Sequence, residues 1–225
     1  MNRPLEKGVA PLPLYSQSHS PYARKVVVFA HEAGLAERLA VLHHETSPTN
    51  RNDAVFAVNP LGKVPVLITP EAGTIFDSLV ICDYLDGLHA GPRLIPTDGP
   101  ARWDALRLHA IAQGLCDAGI ALRWETERRP AHLRHPPLAE GQAAKLAESY
   151  DVIERQNGLD GPIHLGHIAL ATALAWLEFR VLPDFRAGRP KLALWYEAFS
   201  ARPSMKATDY SGETQDAPSA AAIAG

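Results

Sequence analysis

Short β-rich runs alternate with amphipathic stretches through roughly the first ninety residues, and beyond them the pattern is helical throughout. Leu12 to Tyr15 reads as a short strand running into the turn Ser16-Gln17-Ser18-His19-Ser20-Pro21. Pro21 to Ala33 reads as a helix, because a serine precedes a proline at the first helical position and Gly34 supplies the stop. Leu39 to His43 is a second strand. A polar stretch around Ser47 to Asp53 and a short helix then lead to Asn59-Pro60-Leu61-Gly62. Val64 to Thr69 and Thr74 to Phe76 are β-rich runs joined by Pro70-Glu71-Ala72-Gly73, the pattern of a hairpin, and Leu79 to Leu88 is the next helix. The order βαβαββα is a parallel crossover unit followed by an antiparallel hairpin and a closing helix, an α/β layer over residues 11–90.

Residues 91–100 are rich in proline and glycine and read as a linker. Beyond it, Leu108, Ile111, Leu115, Ala118 and Leu122 recur at spacings of three and four, as do Ala143, Leu146, Tyr150 and Ile153. Each set is one face of an amphipathic helix. Ile168 to Arg180 and Lys191 to Ala201 complete an all-α segment over 101–205. Ile168 to Leu177 is the most apolar stretch, but it is too short for a membrane span and suits a buried core helix. Residues 206–225 are mostly small or polar, so this tail is expected to be disordered.

Composition narrows the function classes. The 225 residues carry 22 basic and 25 acidic side chains, a formal charge of −3, so the counterion-releasing surface of a nucleic-acid binder is not expected. Cys82 and Cys116, the two cysteines, lie in apolar periodic stretches and read as reduced, buried thiols of a cytoplasmic protein. The N-terminal residues lack the apolar core of a signal peptide, and neither secretion nor membrane insertion is expected. His43-His44, His132/His135 and His164/His167 lack the Cys or Glu partners that complete zinc spacing, so no metal is expected. Arg123, Arg128, Arg129 and Lys145 are most simply solvated helix faces.

Three short segments carry candidate chemistry. In Asn59-Pro60-Leu61-Gly62-Lys63-Val64-Pro65, the proline stands where a strand begins. A cis Val64–Pro65 bond there presents the backbone of Val64 to an extended peptide ligand. A trans edge-strand proline is the simpler alternative, since only about 5–6% of X-Pro bonds are cis. Asp77-Ser78 opens a helix, where an N-cap is the default role and a grip on a ligand's ammonium and carboxylate groups is the functional one. Ser20-Pro21-Tyr22 also reads as a cap. A hydroxyl can accept from a helix N–H while donating its one proton to an anionic sulfur.

Together, Ser16 to Lys25, Asn59 to Leu67 and Phe76 to Ile81 resemble the amino-terminal domain of the cytosolic glutathione S-transferases, and Ile168 to Arg180 resembles the buried helix of that family's all-α domain. The resemblance covers roughly residues 12 to 205. It implies a thioredoxin-like α/β domain, a C-terminal helical bundle, a homodimer, and a site between the domains for glutathione as co-substrate, with no tightly bound cofactor. Carried over by position, Val64 before Pro65 pairs with the cysteinyl unit, Asp77 and Ser78 hold the γ-glutamyl end, and Lys63 neutralises the glycyl carboxylate. Ser20 falls where the family places its activating serine, or a cysteine in the thiol-transferase branches. Tyr15 is a competing candidate, because some classes use a tyrosine at the end of the first strand. The implied function is a glutathione transferase acting in detoxification on a small hydrophobic electrophile. Isomerisation or dehalogenation by the same thiolate, and a non-catalytic glutathione-binding or protein-interaction scaffold, are the alternatives. One departure concerns His164-Leu165-Gly166-His167, which replaces the family's frequent Ser/Thr-x-x-Asp capping box. An imidazole accepts from a backbone N–H only when neutral, so stability is expected to fall at mildly acidic pH.

Overall fold

The structure, a computed structural model, describes residues 10–156 and 159–216. It divides into two compact units, one running to Ile95 and taking in the segment from Ala207 on, the other Pro96–Lys206.

The first unit is built on a four-stranded mixed sheet in the order β2-β1-β3-β4. Its strands are β1 (Leu12–Ser16), β2 (Leu39–His43), β3 (Val66–Thr69) and β4 (Gly73–Ile75). β1 alternates, burying Leu12, Leu14 and Ser16 on one face while Pro13 and Tyr15 turn to the other. After β1, Ser20 caps α1 (Pro21–Glu32), and the chain returns to lay β2 parallel to β1, with Leu12 opposite Leu39 and Ser16 opposite His43. The short helix α2 (Asp53–Phe56) precedes the Asn59 turn. β3 then runs antiparallel to β1, with Tyr15 opposite Val66, and β4 runs antiparallel to β3. Thr69 closes the hairpin: its Oγ1 accepts from Ala72 N at 3.0 Å and donates to Gly73 O at 3.1 Å. α3 (Ser78–Asp86) packs on α1 and β3, and Leu14, Val26, Phe29, Leu67, Ile81 and Leu85 form a fully buried core.

The unit extends to Ile95 rather than ending near residue 90, for a reason local to Asp86. This fully buried carboxylate accepts from Leu94 N at 2.9 Å and Ile95 N at 3.1 Å, with His89 Nε2 at 3.0 Å and Arg93 Nε at 3.6 Å. Arg93 also donates to the Asp86 carbonyl. The first half of the expected linker is therefore tied to the end of α3. A second departure is the tail, expected to be disordered from residue 206. Residues 207–216 are instead held against the first unit by specific hydrogen bonds, while 217–225 lie outside the described residues.

The second unit is all helical: α4 (Gly99–Arg123), α5 (Pro136–Arg155), α6 (Leu165–Phe179), α7 (Pro190–Ser200) and α8 (Pro203–Lys206). α4 and α5 each bury one stripe, which includes Leu108, Leu115 and Leu122 on α4 and Leu146, Tyr150 and Ile153 on α5. α6 is buried continuously from Leu165 to Leu177 and packs most extensively on α4. Within it Thr172 satisfies its hydroxyl by donating to Ile168 O at 2.9 Å. Arg123 departs from the solvated face expected of it: it is 6% exposed and bidentate to Glu127 at 2.8 and 3.2 Å. Among the described residues, no helix is long and apolar enough to cross a membrane.

The start of α6 is capped by imidazoles. Gly166 N donates to His164 Nδ1 at 3.1 Å, His164 N lies 3.4 Å from His167 Nδ1, and the two rings stack with centroids 3.8 Å apart. Burial, and secondarily the neighbouring His167, lowers the His164 pKa to about 4 from an ordinary value of 6.5. A histidine pKa depressed by folding stabilises the fold above the unfolded value and loses that contribution as pH falls through the folded one. The ring is half-buried, so solvent screening leaves about 1–2 kcal/mol of the shift. Thermal melts are therefore expected to show this contribution intact above pH 6.5 and lost by about pH 4. The His164→Ser chain, capped by a hydroxyl that does not titrate, is expected to lack that component, and parallel profiles for the two chains would refute the assignment.

Candidate functional site

The sheet register brings the three motif segments to one end of the first unit. β1 ends at Ser16 and leads into the loop carrying Ser20. Because Tyr15 stands opposite Val66 in an antiparallel pair, Val64–Pro65 enters β3 beside the point where β1 ends. Ile75 stands opposite Leu67, so β4 runs out toward Asp77 and Ser78 at this same end. β2, parallel to β1, delivers His43 and the segment after it there too. Two helix N-termini, those of α1 and α3, accordingly open at one sheet end, and with them two sets of amides carrying partial positive charge.

Ser20 is 6% exposed and its Oγ accepts from Ala23 N at 3.2 Å, which leaves the hydroxyl proton available to a ligand. Its backbone closes a turn on each side: Ser20 N donates to Gln17 O and Arg24 N to Ser20 O, both at 3.0 Å. Asp77 caps α3, accepting from Leu79 N at 3.0 Å through one carboxylate oxygen. Asp77 is exposed and Ser78, the first residue of α3, is buried. Tyr15 lies on the sheet face opposite Leu14, its ring stacked on His44 with centroids 3.8 Å apart. The structure thus puts Ser20, and not Tyr15, at the N-terminus of α1.

The Val64–Pro65 bond is cis, the first of the two alternatives the sequence allows. Val64 is buried beside it, while Lys63 is exposed. What holds this turn was missed at the sequence level. Asn59, 2% exposed, donates to Lys63 O at 2.8 Å and accepts from Leu61 N at 3.0 Å, and Gly62 N donates to Asn59 O at 2.9 Å. The signal was present, since an Asn before Pro starts turns by bonding its own backbone two residues on. Gly62 is required twice over: its φ is +61°, and a Cβ there would stand 2.3 Å from the Phe56 ring. A chain of polar contacts joins this turn to the Ser20 loop. Gln17 Nε2 donates to Thr46 O at 2.8 Å, and Thr46 Oγ1 donates to Gly62 O at 3.1 Å.

The arrangement offers hydrogen-bond donors and positive helix ends rather than a protein nucleophile. Cys82, beneath the site on α3, is fully buried; burial pushes its thiol up to about 12, against a smaller opposing effect of Lys25. A thiol so raised is protonated at neutral pH.

Comparison with known proteins identifies the family. The sequence matches the glutathione S-transferase N-terminal domain over residues 19–88 and the glutathione S-transferase C-terminal domain over residues 136–198. It is 32% identical to the uncharacterized GST-like protein YibF of Escherichia coli (strain K12), over 84% of this chain and 94% of that one. The chain belongs to the glutathione S-transferase family. A glutathione transferase family member from Pseudomonas fluorescens Pf-5, solved with bound glutathione, superposes with a TM-score of 0.86 at 39% identity, covering 89% of this chain and all of that one. A glutathione S-transferase from Methylobacterium radiotolerans, in complex with glutathione sulfonate, gives 0.81 at 30% identity, with 93% and 100% coverage. As a glutathione S-transferase family member, the chain has the thioredoxin-like first unit and helical second unit of that fold.

Proposed function

We propose that this protein binds glutathione at the sheet end described above and activates it as a thiolate for attack on a small hydrophobic electrophile. The observation that carries the reading is the convergence of Ser20, Val64–Pro65 and Asp77-Ser78 at one sheet end, with two capped helix N-termini. Glutathione bound to the Pseudomonas relative supports the ligand, and S-(propanoic acid)-glutathione bound to it supports a product-like S-conjugate. In this reading Val64 pairs its backbone with the cysteinyl unit, Asp77 takes the γ-glutamyl ammonium and Ser78 its carboxylate, and Lys63 faces the glycyl carboxylate. Ser20 donates its proton to the sulfur, with the α1 amides behind it. The family resemblance adds a cytoplasmic homodimer and a role in detoxification.

The physical chemistry sets how much each part contributes. A free thiol of pKa about 8.5 is about 3% thiolate at pH 7, and a shift of roughly two units, on the order of 2.7 kcal/mol, raises that fraction about twenty-five-fold. Nucleophilicity falls with pKa and offsets roughly eightfold of the gain. Activation alone therefore accelerates attack only a few-fold. Holding the electrophile against an oriented sulfur supplies the larger part.

The test is the ultraviolet thiolate absorbance of glutathione, titrated from pH 5 to 9 with and without stoichiometric protein. A thiolate signal well below the free thiol's pKa is expected. Binding by calorimetry without such a shift would reduce the reading to a glutathione-binding scaffold.

A further inference from the structure

The tail segment lies across the same sheet end and grips the chain on both sides of Ser20. At its start, Arg24 on α1 donates from Nε to Thr208 Oγ1 at 3.2 Å, pairs with Asp209 at 3.8 Å and stacks on the Tyr210 ring at 4.3 Å. In the middle, Ser211 N donates to Ser18 O at 3.2 Å and Ser18 Oγ donates to Ser211 O at 2.8 Å. At its far end, Gln215 N donates to Glu45 at 3.1 Å and Asn50 donates to Gln215 O at 3.2 Å, while Ser47 and Thr49 hydroxyls both stand 2.8 Å from one Asp216 oxygen. Glu45 also lies 3.5 Å from Nε2 of His19, the residue before Ser20.

We propose that residues Thr208–Asp216 form a strap that positions the Ser18–Ser20 loop, so that this C-terminal segment helps set how well Ser20 is aimed at a bound thiol. This rests on the thiolate-activating reading for its catalytic consequence, though not for its effect on the loop. Three features support it. Arg24 and Ser18 bracket Ser20, so clamping both fixes the single turn that presents its hydroxyl. Ser18 is itself exposed, whereas its neighbour Gln17 is already anchored inward on Thr46, so the tail supplies a second, outer brace. Gly212 makes the close passage, with φ at +80° and a Cβ position 3.4 Å from Ser18 Oγ and 3.9 Å from His19 Nδ1. Ser211 and Gly212 are thus positioning residues, which act through Ser18 and not on substrate. A site held within a fraction of an ångström by such support reacts faster than one left loose.

The experiment uses the full chain and two substitutions in the tail, Gly212→Val and Gly212→Asn. A β-branched residue at this φ is strongly disfavoured, whereas asparagine tolerates it, so the first should release the strap and the second keep it. Amide hydrogen exchange at Ser211 and Ser20 is read without ligand; the glutathione thiolate midpoint, kcat and KM are read with it. Gly212→Val is expected to accelerate exchange at both amides, move the thiolate midpoint alkaline and lower kcat on the order of tenfold with KM nearly unchanged, within the ~100-fold that a 1 Å misplacement can cost. Gly212→Asn is expected to restore wild-type values. Rapid exchange at Ser211 in the wild type would overturn the proposal, and so would a Gly212→Val chain in which Ser211 is released while exchange at Ser20 is unaltered. Were the wild type to leave the thiol of glutathione unshifted, the thiolate reading would fall, and exchange at Ser20 would still decide the strap.

Discussion

Replacing Ser20 by alanine is expected to lower kcat/KM on the order of 100-fold while leaving the KM for glutathione within a few-fold. The two halves of that expectation have different origins. The peptide of the ligand is assigned to Lys63, Val64, Asp77 and Ser78, which the substitution does not touch, so affinity should survive. The sulfur loses its donor, its pKa returns toward about 8.5, and the pH–rate profile moves alkaline. The thiolate arithmetic accounts for only a few-fold of the loss, and misorientation of the sulfur supplies the rest. Stability should fall as well, because Ala23 N–H loses the acceptor 3.2 Å away that Ser20 provides. Losing an N-cap hydroxyl costs about 1 kcal/mol, or roughly 2–4 °C in Tm for a chain of this length. Ser20→Thr keeps both the cap and the proton and is expected to retain much of the rate. A Ser20→Ala chain that melted earlier but turned over normally would mark Ser20 as a cap alone. Tyr15→Phe would then be the substitution to examine.

Asp86→Ala should produce the largest loss of stability. Its carboxylate accepts from two buried backbone amides, those of Leu94 and Ile95, and faces His89 and Arg93, and the side chain has no solvent exposure. Alanine leaves the two amides and His89 without this acceptor, while Arg93 keeps only the backbone carbonyl at position 86, and such truncations cost about 3–5 kcal/mol. The midpoint of urea denaturation should fall accordingly, and Tm by about 6–20 °C. Asp86→Asn keeps one acceptor oxygen and should fall between the two. A loss under about 1 kcal/mol for the alanine chain would mean that water replaces the carboxylate at these amides.

How much of this was legible in the sequence depended on how far each residue's partners lie along the chain. The strand Leu39–His43 and the capped start of α1 were read closely, because their signals sit within a few residues. Ser20 was recognisable as a cap for the same reason, since serine, proline and the following helix are contiguous. Arg123 was misread as solvated even though its partner Glu127 is one turn away, because an i,i+4 pair looks the same in sequence whether it is buried or exposed. Asp86 was not singled out at all. Its carboxylate is satisfied by amides eight and nine residues on, and an amide has no sequence signature. Residues 207–216, the described part of the tail, were the least legible, and for a physical reason. Low apolar content does predict disorder when burial must offset chain entropy. Here the segment is held by polar contacts to Ser18, Ser47 and Asn50, whose partners lie 193, 169 and 165 residues away. Composition cannot register pairings of that kind.

Each unit encloses one thiol, Cys82 in the first and Cys116 in the second, and neither is in a disulfide. In the native state both are sealed from aqueous reagents, so an alkylating electrophile meets them only when the surrounding unit opens. The pair is therefore a built-in set of two clocks. Labelling at Cys82 times the opening of the sheet unit and labelling at Cys116 that of the helical unit, with no probe introduced. Their ratio would tell which half yields first under heat, denaturant or acid.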